Sequence, residues 1–241
     1  MNIEITGFNQ KSFDFLKGLK KDNSKEYFDA HRESYQKNLI EPARLFIEQI
    51  GPFLNELDKN LRTEPKFNVT ILRMNKDQRF SKGAPYREFL LLHFGKSKGD
   101  SEYFVYLDGS SISAGLFVNN TTGDQYFFKK ALKDNPDLIA SHWKRAGLDS
   151  LLDISTFAKE PKVLYKNAVI DEVLPHLPKH KALILEKPLK PTKNFHSFEN
   201  LLPEVIVLFS KLYPIYAFAA YPNPEQMIET FYDRIGIPDN E

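Results

Sequence analysis

No cysteine occurs among the 241 residues. That absence excludes disulfides, thiolate nucleophiles and cysteine-ligated zinc or iron–sulfur centres, and a reducing, cytoplasmic compartment is expected. Net charge is missing as well. With 33 Lys and Arg against 32 Asp and Glu, no global field draws the chain to nucleic acid or to a membrane surface, so any electrostatic signal must be local. Residues 1–7 carry neither the basic nor the apolar block of a secretory signal, and no such leader is expected. Nor does any stretch offer the roughly 18 uninterrupted apolar residues of a bilayer span. The most apolar one, Leu201 to Tyr221, is interrupted by Pro203, Glu204, Lys211 and Pro214 and reads as a buried core helix.

Catalytic signatures are absent too: there is no G-x-S-x-G elbow, no G-x-x-x-x-G-K-[ST] loop, no G-x-G-x-x-G fingerprint and no H-E-x-x-H pair. His176 and His180 are four residues apart, but Pro178 between them disfavours the helix that would put both on one face. No metal site and no cofactor is expected.

What is present is a globular composition, 41% hydrophobic with 20 Phe and 11 Tyr spread along the chain. Asn9 is a natural N-cap for a helix whose apolar positions are Phe13, Leu16 and Leu19. Ser24 caps a second helix, where Tyr27, Phe28, His31 and Tyr35 form an aromatic stripe at helical spacing. Pro42 interrupts that pattern and predicts the first turn of a third helix reaching about Lys59, with a kink or break near Gly51 from Pro52. The period then falls to two. Val69 to Met74, Phe89 to Phe94, Tyr103 to Leu107 and Ile112 to Val118 read as strands, the last two joined by the hairpin signal Asp108-Gly109-Ser110-Ser111. Helical spacing returns at Tyr126 to Leu132 and, after Asn135-Pro136, as far as Trp143. Prolines punctuate 159–193 so densely that only Ala182 to Leu185 suggests a short strand. Two helices, Phe198 to Phe218 and Pro224 to Arg234, close the chain, with Gly236 and Pro238 as stop signals. The expected fold class is α+β, one domain with a central antiparallel sheet of about four to six strands flanked by N-terminal and C-terminal helices. Its parts are helices over 9–59, sheet over 67–118, and a helical and irregular region over 122–235.

One segment departs from electroneutrality. Between Lys66 and Arg87 six cations (Lys66, Arg73, Lys76, Arg79, Lys82, Arg87) face the single anion Asp77. The run Arg73-Met-Asn-Lys-Asp-Gln-Arg-Phe-Ser-Lys-Gly-Ala-Pro-Tyr-Arg87 mixes guanidinium groups suited to bidentate capture of phosphate or carboxylate with Lys82, Ser81 and a glycine that permits close backbone approach. Arg73, Asp77, Arg79, Ser81, Lys82, Tyr86 and Arg87 are the candidate ligand-binding residues. His31, with Glu26 and Asp29 near it in sequence, joins them as the best general-base candidate. A second basic run, Lys179, His180, Lys181, Lys187, Lys190 and Lys193, would enlarge the site only if it folded beside the first; otherwise it is an ordinary solvated face.

These residues carry a family likeness. The chain resembles the family known as domain of unknown function 2461 in three blocks: Phe15-Leu16 with Asp22-Asn23-Ser-Lys-Glu-Tyr-Phe28, His31 and Tyr35; Arg73 to Asp77 with Arg79-Phe-Ser-Lys82 and Pro85-Tyr86-Arg87; and Tyr103-Phe104 with Ala114-Gly115-Leu116. An echo at Pro178 to Pro188 extends the match over most of the chain. The resemblance implies an α+β fold and no established activity. It also exposes two departures. Tyr27 stands where the family pattern has tryptophan, and Gly83-Ala84 replaces an Asp-Lys step in a loop one residue shorter, so an activity resting on that pair would be altered here. Three readings of the basic segment remain: a site, enzymatic or not, for a phosphorylated or carboxylated small molecule; an interaction module for protein or nucleic acid using Phe80 and Tyr86, which the near-neutral total charge weighs against for nucleic acid; and an Arg–Asp network that only locks the fold.

Overall fold

Local signals act where their chemistry predicts. The Asn9 side chain accepts from the Lys11 N–H at 2.9 Å while the Asn9 N–H donates to Ser12 Oγ at 3.1 Å, a capping box that starts helix α1, Gln10–Lys21. Ser24 Oγ accepts from the Tyr27 N–H at 3.0 Å and starts α2, Lys25–Ala30. The structure, a computed structural model, describes residues 7–77, 79, 83–97, 99–121, 126–157, 161–189 and 198–235.

The interruption expected at Pro42 takes another form. Helix α3, Arg32–Tyr35, runs through a π turn, Gln36–Ile40, straight into α4, Glu41–Leu57. The Glu41 N–H reaches back five residues to the Gln36 carbonyl, and Pro42 falls in the first turn of α4, where a missing N–H costs little. Pro52 is carried inside α4 without ending it.

Six strands form an antiparallel sheet with the order β1-β2-β3-β6-β4-β5: β1 Phe89–Phe94, β2 Glu102–Asp108, β3 Ile112–Asn119, β4 Asp153–Thr156, β5 Val163–Tyr165 and β6 Ala182–Leu189. Helices α5 (Phe128–Asp134), α6 (Pro136–Arg145), α7 (Ile170–Val173), α8 (Phe198–Ala220) and α9 (Glu225–Ile235) complete the α+β fold. The hairpin between β2 and β3 forms at the expected residues, with Asp108 Oδ1 accepting from the N–H groups of Ser110 at 2.7 Å and Ser111 at 2.8 Å.

Two expectations about the sheet are corrected. Val69 to Met74 does not form a strand. The N–H groups of Val69, Thr70 and Ile71 all donate to the Lys66 carbonyl, and Asn68 adopts φ 63°, so a tight turn consumes the alternating residues. Isolated bridges remain, Ile71 antiparallel with Leu92, Asn75 antiparallel with Tyr86 and Phe67 parallel with Ile71, and the Leu72 N–H and the Thr70 carbonyl still bond to Leu91 and His93 of β1. Conversely, the sheet does not end at 118. Within the stretch read as irregular, β6 extends to Leu189 and β4 pairs with it in the register Asp153–Glu186 to Thr156–Leu183, while β4 and β5 pair around a bulge at Ile154/Ser155. Pro188 is tolerated because it lies next to the end of β6.

By contact the chain divides into two compact units, 1–94 with 104–113 and 189–206, and 95–103 with 114–188 and 207–241. In the first, Leu16, Leu19, Leu39, Ile40, Phe46, Ile47, Ile50 and Leu54 are fully buried. In the second, Tyr103 packs against Phe209 and Tyr216 of α8 with ring centroids 4.7 and 4.9 Å apart, and Trp143 is buried. The window Leu201–Ala220 has the length and mean hydropathy, 1.4, of a bilayer span, yet 61% of it is buried inside the fold, and it serves as a core helix.

Gly115 shows how tightly β3 and β6 approach. A Cβ there would collide with the Leu185 carbonyl oxygen and stand 2.8 Å from the Glu186 Cα. Backbone cannot swing aside as a side chain can. Gly115→Ala should therefore cost at least about 2 kcal/mol, lowering the melting temperature by roughly 4–8 °C in a calorimetric scan; an unchanged transition would contradict the close approach.

Candidate functional site

The basic segment is a loop on a short stem. The Lys76 N–H donates to the Pro85 carbonyl at 2.8 Å and the Arg87 N–H to the Met74 carbonyl at 2.7 Å, closing the loop at its base. Gly83, with φ 121°, lies inside the loop in a conformation that a side chain would strain. Ser81 and Lys82 fall outside the described residues, as do Gln78 and Phe80.

Two of the candidate arginines are occupied with the chain itself. Arg87 Nη1 donates to the carbonyls of Arg73 at 2.8 Å and Asn75 at 3.0 Å, fastening the two sides of the stem. Arg79 grips Asp77 with Nε at 3.0 Å and Nη2 at 2.7 Å in an exposed fork, which holds the Asp77 carboxyl below its ordinary value.

Tyr86 and His31 also make contacts within the chain. The Tyr86 ring is buried and stacks on Phe28 of α2, centroids 4.3 Å apart and planes 7° from parallel. Its peptide is clasped by Asn23, whose Oδ1 accepts from the Tyr86 N–H at 2.9 Å and whose Nδ2 donates to the Tyr86 carbonyl at 3.2 Å. Burial, then the nearby charge of Asp29, raises the Tyr86 phenol pKa, opposed by Arg32. His31 lies at the C-terminal end of α2, stacked on Tyr27 at 4.0 Å with Nδ1 2.8 Å from the Tyr27 carbonyl. Packing accounts for it.

Arg73 is different. Its side chain is exposed, and no ion pair or hydrogen bond engages its guanidinium among the described residues. Its charge is felt instead at Tyr35, together with that of Arg44 from α4. Arg44 has an aromatic neighbour, the Phe67 ring at 6.0 Å, and no carboxylate partner among the described residues. Tyr35 is rooted in the aromatic cluster, 5.0 Å from Phe28 and 5.8 Å from Phe15. Burial pushes its phenol up to about 12 although both guanidinium groups pull the other way. Arg73 and Arg44 are thus two cations whose charge reaches the same phenol. Sequence reasoning named Arg73 and missed Tyr35 and Arg44 as site residues. The stripe spacing of Tyr35 with Phe28 and His31 signals a shared face, whereas nothing in the sequence links Arg44 to Arg73.

Lys179, His180, Lys181 and Lys187 of the second basic run belong to the other unit. There Lys179 Nζ lies 3.2 Å from His176 Nδ1, the His180 carbonyl accepts from Asn120, and Lys190 and Lys193 fall outside the described residues. Among the described residues no group of three or more His, Asp or Glu is placed to hold a metal ion.

Because the Tyr35 phenol is raised from 10.0 to about 12 on folding, the stability tied to its protonated form is intact below pH 10 and is lost as pH rises from 10 toward 12. Melting temperature should fall across that window, and Tyr35→Phe should make the fall shallower. An equally steep fall in the variant would mean that the phenol is as free in the native state as in the unfolded one.

The aromatic stripe of the first sequence block and the basic segment of the second thus meet through Asn23, Phe28 and Tyr86. No curated protein matches the chain. The sequence profile of the conserved hypothetical proteins designated DUF2461 matches residues 11–218, which takes in both blocks and most of the chain. On that match the chain belongs to the DUF2461 family.

Proposed function

We propose that the protein binds an anionic small molecule through a phosphate or carboxylate group, with Arg73 and Arg44 as the cationic clamp and the Tyr35 hydroxyl as an additional donor. The observation that supports this reading is the state of Arg73: an exposed guanidinium with no carboxylate on it among the described residues, whose charge, like that of Arg44, is felt at the half-buried Tyr35 phenol. Two guanidinium groups whose charge converges on one phenol suit an oxyanion that accepts from both. Tyr35, a phenol protonated at neutral pH, donates and does not compete with the anion.

The same reasoning assigns Arg79 and Arg87 to the loop. Each spends its guanidinium on the chain, on Asp77 in one case and on backbone carbonyls in the other. A protein- or nucleic-acid-binding role for the segment is weakened by Tyr86, whose ring is only 5% exposed and stacked on Phe28, leaving it unable to serve as an aromatic contact.

Titration calorimetry with inorganic phosphate, sulfate and a panel of small carboxylates tests the proposal. At least one anion should bind saturably, and Arg73→Ala should weaken it by about tenfold or more, the loss of one or two charge-assisted hydrogen bonds. Arg79→Ala should change affinity by less than about threefold. Binding that ignores Arg73→Ala and falls with Arg79→Ala would reject the clamp.

A further inference from the structure

A cleft of about 860 Å³ opens within the second unit, between α5 and the turn that joins α8 to α9. Lys129, Lys130 and Lys133 of α5 line it, and none of them has an ion pair or hydrogen bond among the described residues. Successive helical residues are about 100° apart, so these three positions fall within one arc of the helix. Phe218 and Tyr221 contribute aromatic surface. The Lys96 ammonium donates to the Ala220 carbonyl at 2.7 Å and lies 4.2 Å from the centroid of the Tyr221 ring, which fixes the end of α8 and orients that ring.

The charges at the start of α5 run against its dipole. A helix is stabilised by acids in its first turn and bases in its last. Here the first turn has no acid and carries Lys129 and Lys130, and the final residue is Asp134; Lys133, in the last turn, follows the dipole. Lys129 and Lys133, four apart, repel each other with no carboxylate between them. The volume of the cleft lies in the range of small-molecule sites.

We propose that this cleft binds a nucleotide-class ligand, a phosphomonoester joined to a planar ring, with the phosphate on the three lysines and the ring against Tyr221. A carboxylate brings one negative charge to three unpaired cations, whereas a phosphomonoester brings between one and two and three acceptor oxygens. Asp134 and Glu225 also line the cleft. As carboxylates they only accept, so they suit N–H or O–H groups of the ring or a sugar and repel the phosphate toward the lysines.

Calorimetric titration of the full-length protein with AMP, GMP, CMP and UMP, and separately with inorganic phosphate, decides the matter. At least one nucleotide should saturate, and phosphate alone should bind at least about tenfold more weakly. The double variant Lys129→Glu/Lys130→Glu should weaken the nucleotide by about tenfold or more while its melting temperature stays level or rises, because the acids now suit the dipole. If that variant melts lower, the single change Lys133→Ala, at an exposed position, must still weaken the nucleotide. Absence of nucleotide saturation, equal affinity for nucleotide and phosphate, or lysine variants that bind as the wild type does would overturn the proposal. Loss of nucleotide binding in Arg73→Ala alone would overturn it as well, by assigning the ligand to the first unit.

Discussion

The side-chain amide of Asn23 holds the Tyr86 peptide by its N–H and its carbonyl, and through that clasp the helical part of the first unit fixes the basic segment. The clasp occupies the junction where α1 ends and α2 begins. Asp22 is the last cap of one helix, Ser24 the first cap of the next, and Asn23 between them is left with its side chain free to reach the loop. One short turn thereby does two things: it redirects the chain so that Phe28 faces Tyr86, and it pins the segment that carries the Tyr86 ring. The net energy is modest, about 1 kcal/mol for each hydrogen bond and about 0.5–1.5 kcal/mol for the ring pair. What the clasp contributes is position. With Tyr86 fixed, the bonds from Arg87 to the carbonyls of Arg73 and Asn75 set where the Arg73 backbone lies, and the Phe28 cluster sets where the Tyr35 phenol lies.

Much of this architecture is written in local signals. Helices α1 and α2 carry their own caps, the β2–β3 hairpin carries its Asp108 turn, and the long apolar period of α8 continues through Pro203 and Pro214. Elements whose stability is borrowed were not legible. Strand β5 has three residues and exists because β4 pairs with it across a bulge; β4 in turn leans on β6. The opposite failure occurs at Val69 to Met74, where alternation is real but the Lys66 carbonyl captures three consecutive N–H groups and bends the segment into a turn. Period is a statement about side chains, and here the backbone hydrogen bonds had another solution.

The candidate site divides along the same line. A charge excess between Lys66 and Arg87 is visible in the sequence, but which cation is committed to the fold is a question of partners many residues away or on the backbone. Arg87 caps carbonyls, which no charge pattern announces. The charge of Arg44 acts on Tyr35 from a different helix. Asn23, Phe28, Tyr35, Arg73 and Tyr86 all belong to the family blocks, which do not separate the residues that build the loop from the arginine whose guanidinium is left exposed.

Arg145 shows what a fully employed arginine looks like in this chain. Its side chain is 8% exposed, it meets both oxygens of Glu229 at 3.0 and 2.9 Å, and its guanidinium lies 3.9 Å from the Tyr232 ring centroid. Desolvation is compensated there on the edge and on the face of the group at once. Arg73 has neither kind of compensation among the described residues, and the lysines of α5 lack it too, Lys129 and Lys130 standing against their own helix dipole. Arg145 is desolvated and has to be compensated by the chain; Arg73, Lys130 and Lys133 are exposed, and water carries their charge. A group already committed to the fold has no donors left for a ligand, which is why the binding proposals rest on the solvated cations and not on Arg145.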